Sequence, residues 1–534
     1  MGCQQPEVKT NKRDKTPRLV VGIVVDQMKD EYLRRFEHNF SEKGFKRLLK
    51  NGYVCRNTNY NYVPTYTGPG HASIFTGTVP SEHGIVANRW YDRKSKTIVY
   101  CVEDTLVRPL GTKKKGGMMS PRNMIANTIG DELKMVTNMR SKVIGVSLKD
   151  RGAILPAGHL GDAAYWLESK SGKWISSDYY FSQLPDWVKK YNKKKIVKEY
   201  LNQAWKPSLV PEMYHASLPD DNPYEGSLNK EGKPTFPYDL QKISKENGKG
   251  IIKSTPYGNT LVLDFAMEVI DHESLGQDEY TDLLTVSFSS TDYIGHLFGP
   301  NSIELEDTYI LLDKDIADFL NVLDKEIGKE NYLLFLTSDH GVSPSPLYMK
   351  DLKSNAGHFN ESDLKSTLNN WLLLKFGMSN AISRIENLNI YLDHDIFENN
   401  QKLKKQVLEA IQRKLLEFEW VKDAYDVRQL HKHTYKKSAQ FIANGFWRKR
   451  SGDIIIQARP YWLNDGHSKT GSSHGSAYGY DTHVPLVWYG AGIPTAQDFS
   501  EVSITDIAPT LAFFLQSNPP NSCSGKAIEG IFNK

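Results

Sequence analysis

Near its start the chain runs Leu19-Val20-Val21-Gly22-Ile23-Val24-Val25 without a polar residue, then stops at Asp26. A strand with one wet face alternates apolar and polar side chains. A continuous apolar run is instead buried on both faces, which is how strands of a parallel sheet between helices read. The pattern recurs at residues 142–148, 283–288, 332–336 and 485–489. Between these runs lie helical patterns, most clearly over 303–327, where Leu305, Tyr309, Leu312, Ile316, Leu320 and Leu323 fall near one face. Strands alternating with helices predict an α/β fold, a doubly wound, mostly parallel sheet flanked by helices.

Two stretches break this rhythm. Residues 151–258 are rich in Trp, Tyr, Pro, Asn and Lys, and residues 345–450 are charged and helix-prone, including a run over 401–418. Both read as insertions that cap or flank the sheet. The expected division is a tether over 1–16, catalytic core over 17–150, 259–344 and 451–534, and the two insertions between.

With 534 residues, 39% hydrophobic and 24% charged, the chain can bury a large core. A net charge of +4 is too mild to argue for nucleic acid or an anionic membrane as partner. No apolar run approaches the 18 or so residues of a membrane span. The start, Met1-Gly2-Cys3-Gln4-Gln5 with a polar stretch to Thr16, resembles the mature end of a bacterial lipoprotein. That reading expects a lipid anchor at Cys3 and a periplasmic or cell-surface protein; the alternative is a cloning remnant. Myristoylation fits less well, because Pro6 stands where Ser or Thr is wanted. Cys55 and Cys101 either pair in an oxidising compartment or remain buried thiols.

Ligands of open α/β sheets bind beyond the carboxyl ends of the strands, and titratable residues collect there. Asp26 follows the first run, Lys149 and Arg151 the second, Asp292 and His296 the third, Asp339 and His340 the fourth. Asp292 and His296 are four apart and would share a helix face. Asp339 and His340 are adjacent, so they sit in a loop or serve one ion from two sides. Asp and His together are typical zinc ligands. His474, in Ser473-His474-Gly475-Ser476, competes for such a role with His467 and His483. A further segment, Pro64-Thr65-Tyr66-Thr67-Gly68-Pro69-Gly70-His71, forces a tight turn into a helix. A hydroxyl at a helix start faces free backbone N–H groups, a natural phosphate cradle, although Thr67 could equally be only the cap.

Together these residues resemble the alkaline phosphatase superfamily: the strand ending in Asp26, the Thr-x-Pro-x-His segment, Asn88, Lys149-x-Arg151, Asp292-x-x-x-His296, Asp339-His340 and His474, in the family's order. The resemblance runs from about Leu19 to the C-terminus. It implies two zinc ions, one held by Asp292, His296 and His474, the other by Asp26, Asp339 and His340 with Thr67. It implies Thr67, not Thr65, as nucleophile, Asn88 as a donor to a phosphoryl oxygen, and Lys149 with Arg151 as a cationic pair in place of a third metal ion. The implied reaction is hydrolysis of small phosphate monoesters through a phosphothreonine, by a monomer.

Sulfatases of the superfamily start from Cys or Ser with an Arg after the Pro, where this chain has Thr67 and His71. Nucleotide pyrophosphatase/phosphodiesterases share all six ligands but lack a pair like Lys149 and Arg151, and are the first alternative. A non-catalytic protein holding phosphate or zinc is the distant one. Lys113-Lys114-Lys115 and Lys193-Lys194-Lys195 read as solvated surface.

Overall fold

The opening apolar run lies at the centre of the molecule. The computed structural model describes residues 16–532 except 230, 231, 434 and 465–468, so the tether and Cys3 lie outside the described residues. The main sheet is built on β1 (Leu19–Val25), β2 (Tyr53–Asn59), β3 (Val143–Ser147), β4 (Ala163–Glu168), β5 (Lys173–Ser177), β6 (Asp282–Phe288), β7 (Tyr332–Thr337) and β8 (His483–Gly490). Their order across the sheet is β2-β8-β7-β1-β6-β3-β4-β5, with short strands at or beside its edges completing an eleven-stranded sheet.

The centre is parallel: β1 pairs in parallel with β6 and β7, β6 with β3, and β3 with β4. The flanks are antiparallel, which makes the sheet mixed. In particular β8 runs antiparallel to both β7 and β2. The apolar run at 485–489 read like the parallel strands because it reports burial on two faces; direction is set by the connection, which sequence periodicity does not encode.

Helices cover both faces. The side chains of Leu19, Val21, Ile23 and Val25 pack into one hydrophobic cluster with the helices Tyr257–His272 and Ile303–Glu326. Val20 and Val24 point the other way, into a second cluster with Ile74, Phe75, Ile507 and Leu511. Strand alternation therefore serves two cores rather than core and solvent.

The sheet runs on past residue 151, where the sequence suggested a cap: β4 and β5 extend it before the chain leaves over the surface. The second insertion builds a unit with its own core. Strands Ile382–Glu386, Asn389–Leu392, Ile454–Ala458 and Val421–Asp426 form a four-stranded sheet. Helices Glu361–Phe376 and Gln401–Leu415 pack on it through Leu368, Leu372, Val407 and Ile411. The strand at 454–458 thus belongs to this cap, four residues beyond the expected boundary at 450. Cys55 and Cys101 are free and buried. No helix among the described residues is long and apolar enough to cross a membrane.

Candidate active site

Four parallel strands end side by side, and the site stands on their carboxyl ends. Asp26 closes β1, its N–H donating to Phe288 O at the end of β6. The next residue, Gln27, adopts a left-handed φ of 66°, which turns the chain sharply away from the sheet. Its backbone N–H then donates to Asp339 Oδ1 (3.2 Å) and its amide Nε2 to Asp292 Oδ1 (2.8 Å). Asp292 and His296 sit one turn apart on the helix Ser290–Phe298 that follows β6, with His296 Nε2 3.1 Å from Asp292 Oδ1. Asp339 and His340 occupy the loop after β7 and are fully buried.

These residues assemble into two groups, Asp292 with His296 and His474, and Asp26 with Asp339 and His340; within each group the donor atoms lie within 4.8 Å of one another. His474 is thereby separated from its two rivals. His483 lies on β8 with Nε2 3.0 Å from Arg56 O, away from both groups, and His467 lies outside the described residues.

Each of the three imidazoles is oriented from behind. Nδ1 lies 2.8 Å from Ser472 O in His296, 2.9 Å from Gly341 O in His340 and 2.7 Å from Thr65 O in His474. A carbonyl can only accept, so each Nδ1 carries a proton and each Nε2 is the atom turned toward the carboxylates, the side from which it can ligate a metal. In spite of burial, Asp292 beside His296 raises that imidazole above its ordinary range. Burial holds His474 well below the ordinary histidine range and His340 down at about 4, which keeps both neutral, the form that binds metal.

Three buried carboxylates crowd together here around one ammonium, that of Lys149. Burial first, then the neighbouring Asp292 and Asp339, raises Asp26 well above the usual carboxylate range, and burial pushes Asp339 up to about 6. Asp292 stays well below that range in spite of its burial, because His296 and Lys149 lie beside it. Asp26 Oδ1 and Asp339 Oδ2 are buried and accept no hydrogen bond. Buried carboxylate oxygens left in this way are costly unless an ion meets them. Asp–His donor sets of this kind suit divalent metal.

Thr67 is the first residue of the helix Thr67–Thr76, not a residue ahead of it. Its Oγ1 lies 3.5 Å from His340 Nε2. Gly68, Pro69 and Gly70 therefore lie inside the helix and not in a tight turn before it, and Gly70 serves close packing, since a Cβ there would come within 2.3 Å of Asp339 O. Gly68 N–H donates to Asn88 Oδ1 (2.7 Å), which engages the amide oxygen and leaves the Asn88 NH2 group to face the cavity. Thr65 is used differently, its Oγ1 donating to Ser476 O and its carbonyl serving His474.

The two cations expected at the site behave differently. Lys149 Nζ lies between the ligand groups, 2.6 Å from Asp26 Oδ2 and 2.5 Å from Asp292 Oδ2, with the Tyr293 ring 5.0 Å away. Arg151 reaches Thr67 itself: Nη2 donates to Thr67 Oγ1 at 3.4 Å and Nη1 to the Tyr100 hydroxyl at 3.0 Å. Above them opens a cavity of about 570 Å³ whose base includes Tyr66, Thr67, Asn88 and Arg151 and whose far wall includes Phe359, Glu361 and Trp462 of the cap.

Gln27, Tyr100 and Tyr293 went unnoticed in the sequence. Gln27 adjoins Asp26 and Tyr293 adjoins Asp292, so neighbourhood to a ligand was the only available signal. Tyr100 has none, because it reaches Arg151 from a separate hairpin.

Residues 20–481 match the family model described as type I phosphodiesterase / nucleotide pyrophosphatase. A protein of Myroides odoratus named calcium-transporting ATPase is 45% identical over 96% of this chain and 94% of its own length. Alkaline phosphatase PafA of Elizabethkingia meningoseptica is 42% identical over 97% of this chain and 95% of its own. A crystal structure of wild-type alkaline phosphatase PafA superposes with a TM-score of 0.94 at 42% identity, covering 97% of this chain and 99% of that one. With the family model matching most of the chain and the likeness running the length of both chains, this chain belongs to the type I phosphodiesterase / nucleotide pyrophosphatase family of the alkaline phosphatase superfamily.

Proposed function

We infer that the chain is an alkaline phosphatase, hydrolysing phosphate monoesters to an alcohol and inorganic phosphate. The observation that carries this reading is the Arg151 guanidinium beside the Thr67 hydroxyl, at the base of an open cavity and next to two Asp–His groups. A positive charge at that point pairs with the additional anionic oxygen that a monoester has and a diester lacks.

Asp292, His296 and His474 would hold one zinc ion, and Asp26, Asp339 and His340, with Thr67, the other. Bound there, the two ions would acidify the Thr67 hydroxyl and offset charge on the entering and leaving oxygens. Thr67 Oγ1 loses its proton to solvent and attacks phosphorus, the bond from phosphorus to the alcohol oxygen breaks, the departing oxygen takes up a proton from water, and the phosphoryl group is left on Thr67. Attack of water on this phosphothreonine releases phosphate and restores the hydroxyl. Throughout, the Asn88 amide would donate to a phosphoryl oxygen, and Lys149 and Arg151 would offset charge as it shifts among these oxygens.

ATP ends in the same dianionic phosphoryl group, so an ATPase name for one relative and a phosphatase name for another describe attack on one kind of centre. Small phosphate esters are the partners this requires. The protein is proposed to act as a monomer in the periplasm or at the cell surface. Nothing in its mild charge calls for nucleic acid. The family model's name keeps diester cleavage as the competing reading. Turnover of matched aryl phosphate monoesters, phosphate diesters and sulfate esters by the purified protein decides between them; a preference for the diester would replace the phosphatase reading.

A further inference from the structure

Arg151 does not reach Thr67 unaided. Its Nη1 donates to the Tyr100 hydroxyl (3.0 Å), and that hydroxyl donates its single proton to Asp150 Oδ1 at 2.5 Å. Asp150 is itself fixed, because it is the first residue of the helix Asp150–Ala157 and its Oδ1 accepts from the N–H of Arg151. The three groups form a directed chain, guanidinium to phenol to carboxylate, in which the Tyr100 hydroxyl has no proton left for anything else. The phenol is held well above its ordinary range, mostly by burial and despite Arg151, so it stays protonated.

Tyr100 comes from the hairpin of Arg89–Asp92 and Thr97–Tyr100, in which Arg89 and Tyr100 face each other. The next N–H, that of Cys101, donates to Asn88 O at 2.9 Å. The base of one hairpin therefore holds both Asn88 and the residue that orients Arg151. This places two of the proposed phosphoryl contacts, Asn88 and Arg151, under common control, although they lie 63 residues apart in the chain.

We propose that Tyr100, backed by Asp150, is a positioning residue that sets the Arg151 guanidinium against Thr67 and so fixes the selectivity for monoesters. The proposal rests on the reading of Arg151 as the group that meets the dianion. A guanidinium with many rotamers gains from such a rest, because the ordering cost is met before substrate binds.

The test is a double-mutant cycle of wild type, Tyr100→Phe, Arg151→Ala and the double variant, each assayed for kcat/KM on a matched aryl monoester and diester. Tyr100→Phe keeps the ring and removes the hydroxyl; a melting temperature near wild type checks its fold. It is expected to lower monoester turnover roughly 10- to 100-fold, the scale of one hydrogen bond to a charged group. The diester should change little, and no further fall should appear in the Arg151→Ala background. An equal fall in that background, or an equal fall for both substrates, would overturn the positioning role. If Arg151→Ala cuts monoester turnover and Tyr100→Phe does not, positioning alone fails. If Arg151→Ala leaves the monoester untouched, the reading of Arg151 fails and the proposal with it.

Discussion

His340 and His474 belong to different ligand groups, yet their rings stack with centroids 3.5 Å apart and planes 12° from parallel. That contact sets the two Asp–His groups side by side, with Thr67 Oγ1 3.5 Å from one of the rings. The proposed two-metal displacement depends on that adjacency, since one hydroxyl would have to be served from both groups.

Metal removal gives the first prediction. Dialysis against a chelator should abolish activity, and zinc should restore it. Asp339→Ala should lose more than the roughly 10- to 100-fold typical of an outer-shell partner. His483→Ala should lose little, because His483 bonds Arg56 O outside both groups. Full activity in protein shown metal-free by elemental analysis would contradict this.

The nucleophile gives the second. Thr67→Ser keeps a hydroxyl at the helix start and should retain much of the activity. Thr67→Ala should fall by on the order of 10³-fold or more, leaving what binding and charge alone supply. Thr65→Ala should be mild, since His474 leans on the Thr65 carbonyl and not on its side chain. Mass spectrometry of acid-trapped enzyme should place the phosphoryl group on Thr67; finding it on Thr65 would show the nucleophile misassigned.

Packing gives the third. A methyl group at Gly70 would run into the backbone of Asp339, whereas one at Gly116 meets nothing within 4 Å. Gly70→Ala should therefore lower both zinc content and melting temperature, and Gly116→Ala neither. Equal metal content and stability in the two variants would show that the close approach is not needed.

A group far from the site makes the fourth. Burial pushes the Asp315 carboxyl, bonded to Thr260 Oγ1 at 3.0 Å, up to about 8 from its usual 3.8. Between those values the folded chain holds a proton that the unfolded chain has lost. Stability from this group is thus full below about 4 and declines, by on the order of 1 kcal/mol per pH unit, as pH rises to about 8. Asp315→Asn should raise the melting temperature more at pH 8 than at pH 5. The same shift at both would contradict the assignment.

The sequence displays most of this site because the fold puts its chemistry at places that sequence marks. Asp26 and Asp339 follow the two-face-buried runs of β1 and β7, and a buried run ends visibly when a charge follows it. The split of six candidate ligands into two groups came from family resemblance; their donor atoms lie in two clusters. What the sequence concealed depends on direction and distance. The apolar run of β8 reports burial and is silent on polarity, so its antiparallel pairing was hidden. The aromatic stretch after Arg151 looked like cap because Ala163–Glu168 is short and mixes Tyr and Trp with alanine, yet it continues the parallel ladder. Tyr100 meets Arg151 across 51 residues through two packed elements, and no spacing in one chain encodes that.

The central claim is that Arg151 reads the charge of a monoester, and one measurement tests it most directly: kcat/KM for a matched aryl monoester and aryl diester in wild type and Arg151→Ala. Loss of one charge-assisted hydrogen bond costs roughly 1.5–3 kcal/mol, or about 10- to 100-fold in rate. Removing Lys149 as well doubles that to about 3–6 kcal/mol, on the order of 10² to 10⁴, although Lys149 also holds Asp26 and Asp292 and its loss should touch both substrates. The account predicts a wild type that prefers the monoester and an Arg151→Ala variant in which monoester turnover drops while the slow diester reaction is nearly unchanged. An equal fall for both substrates, or a wild type that already prefers the diester, would contradict it.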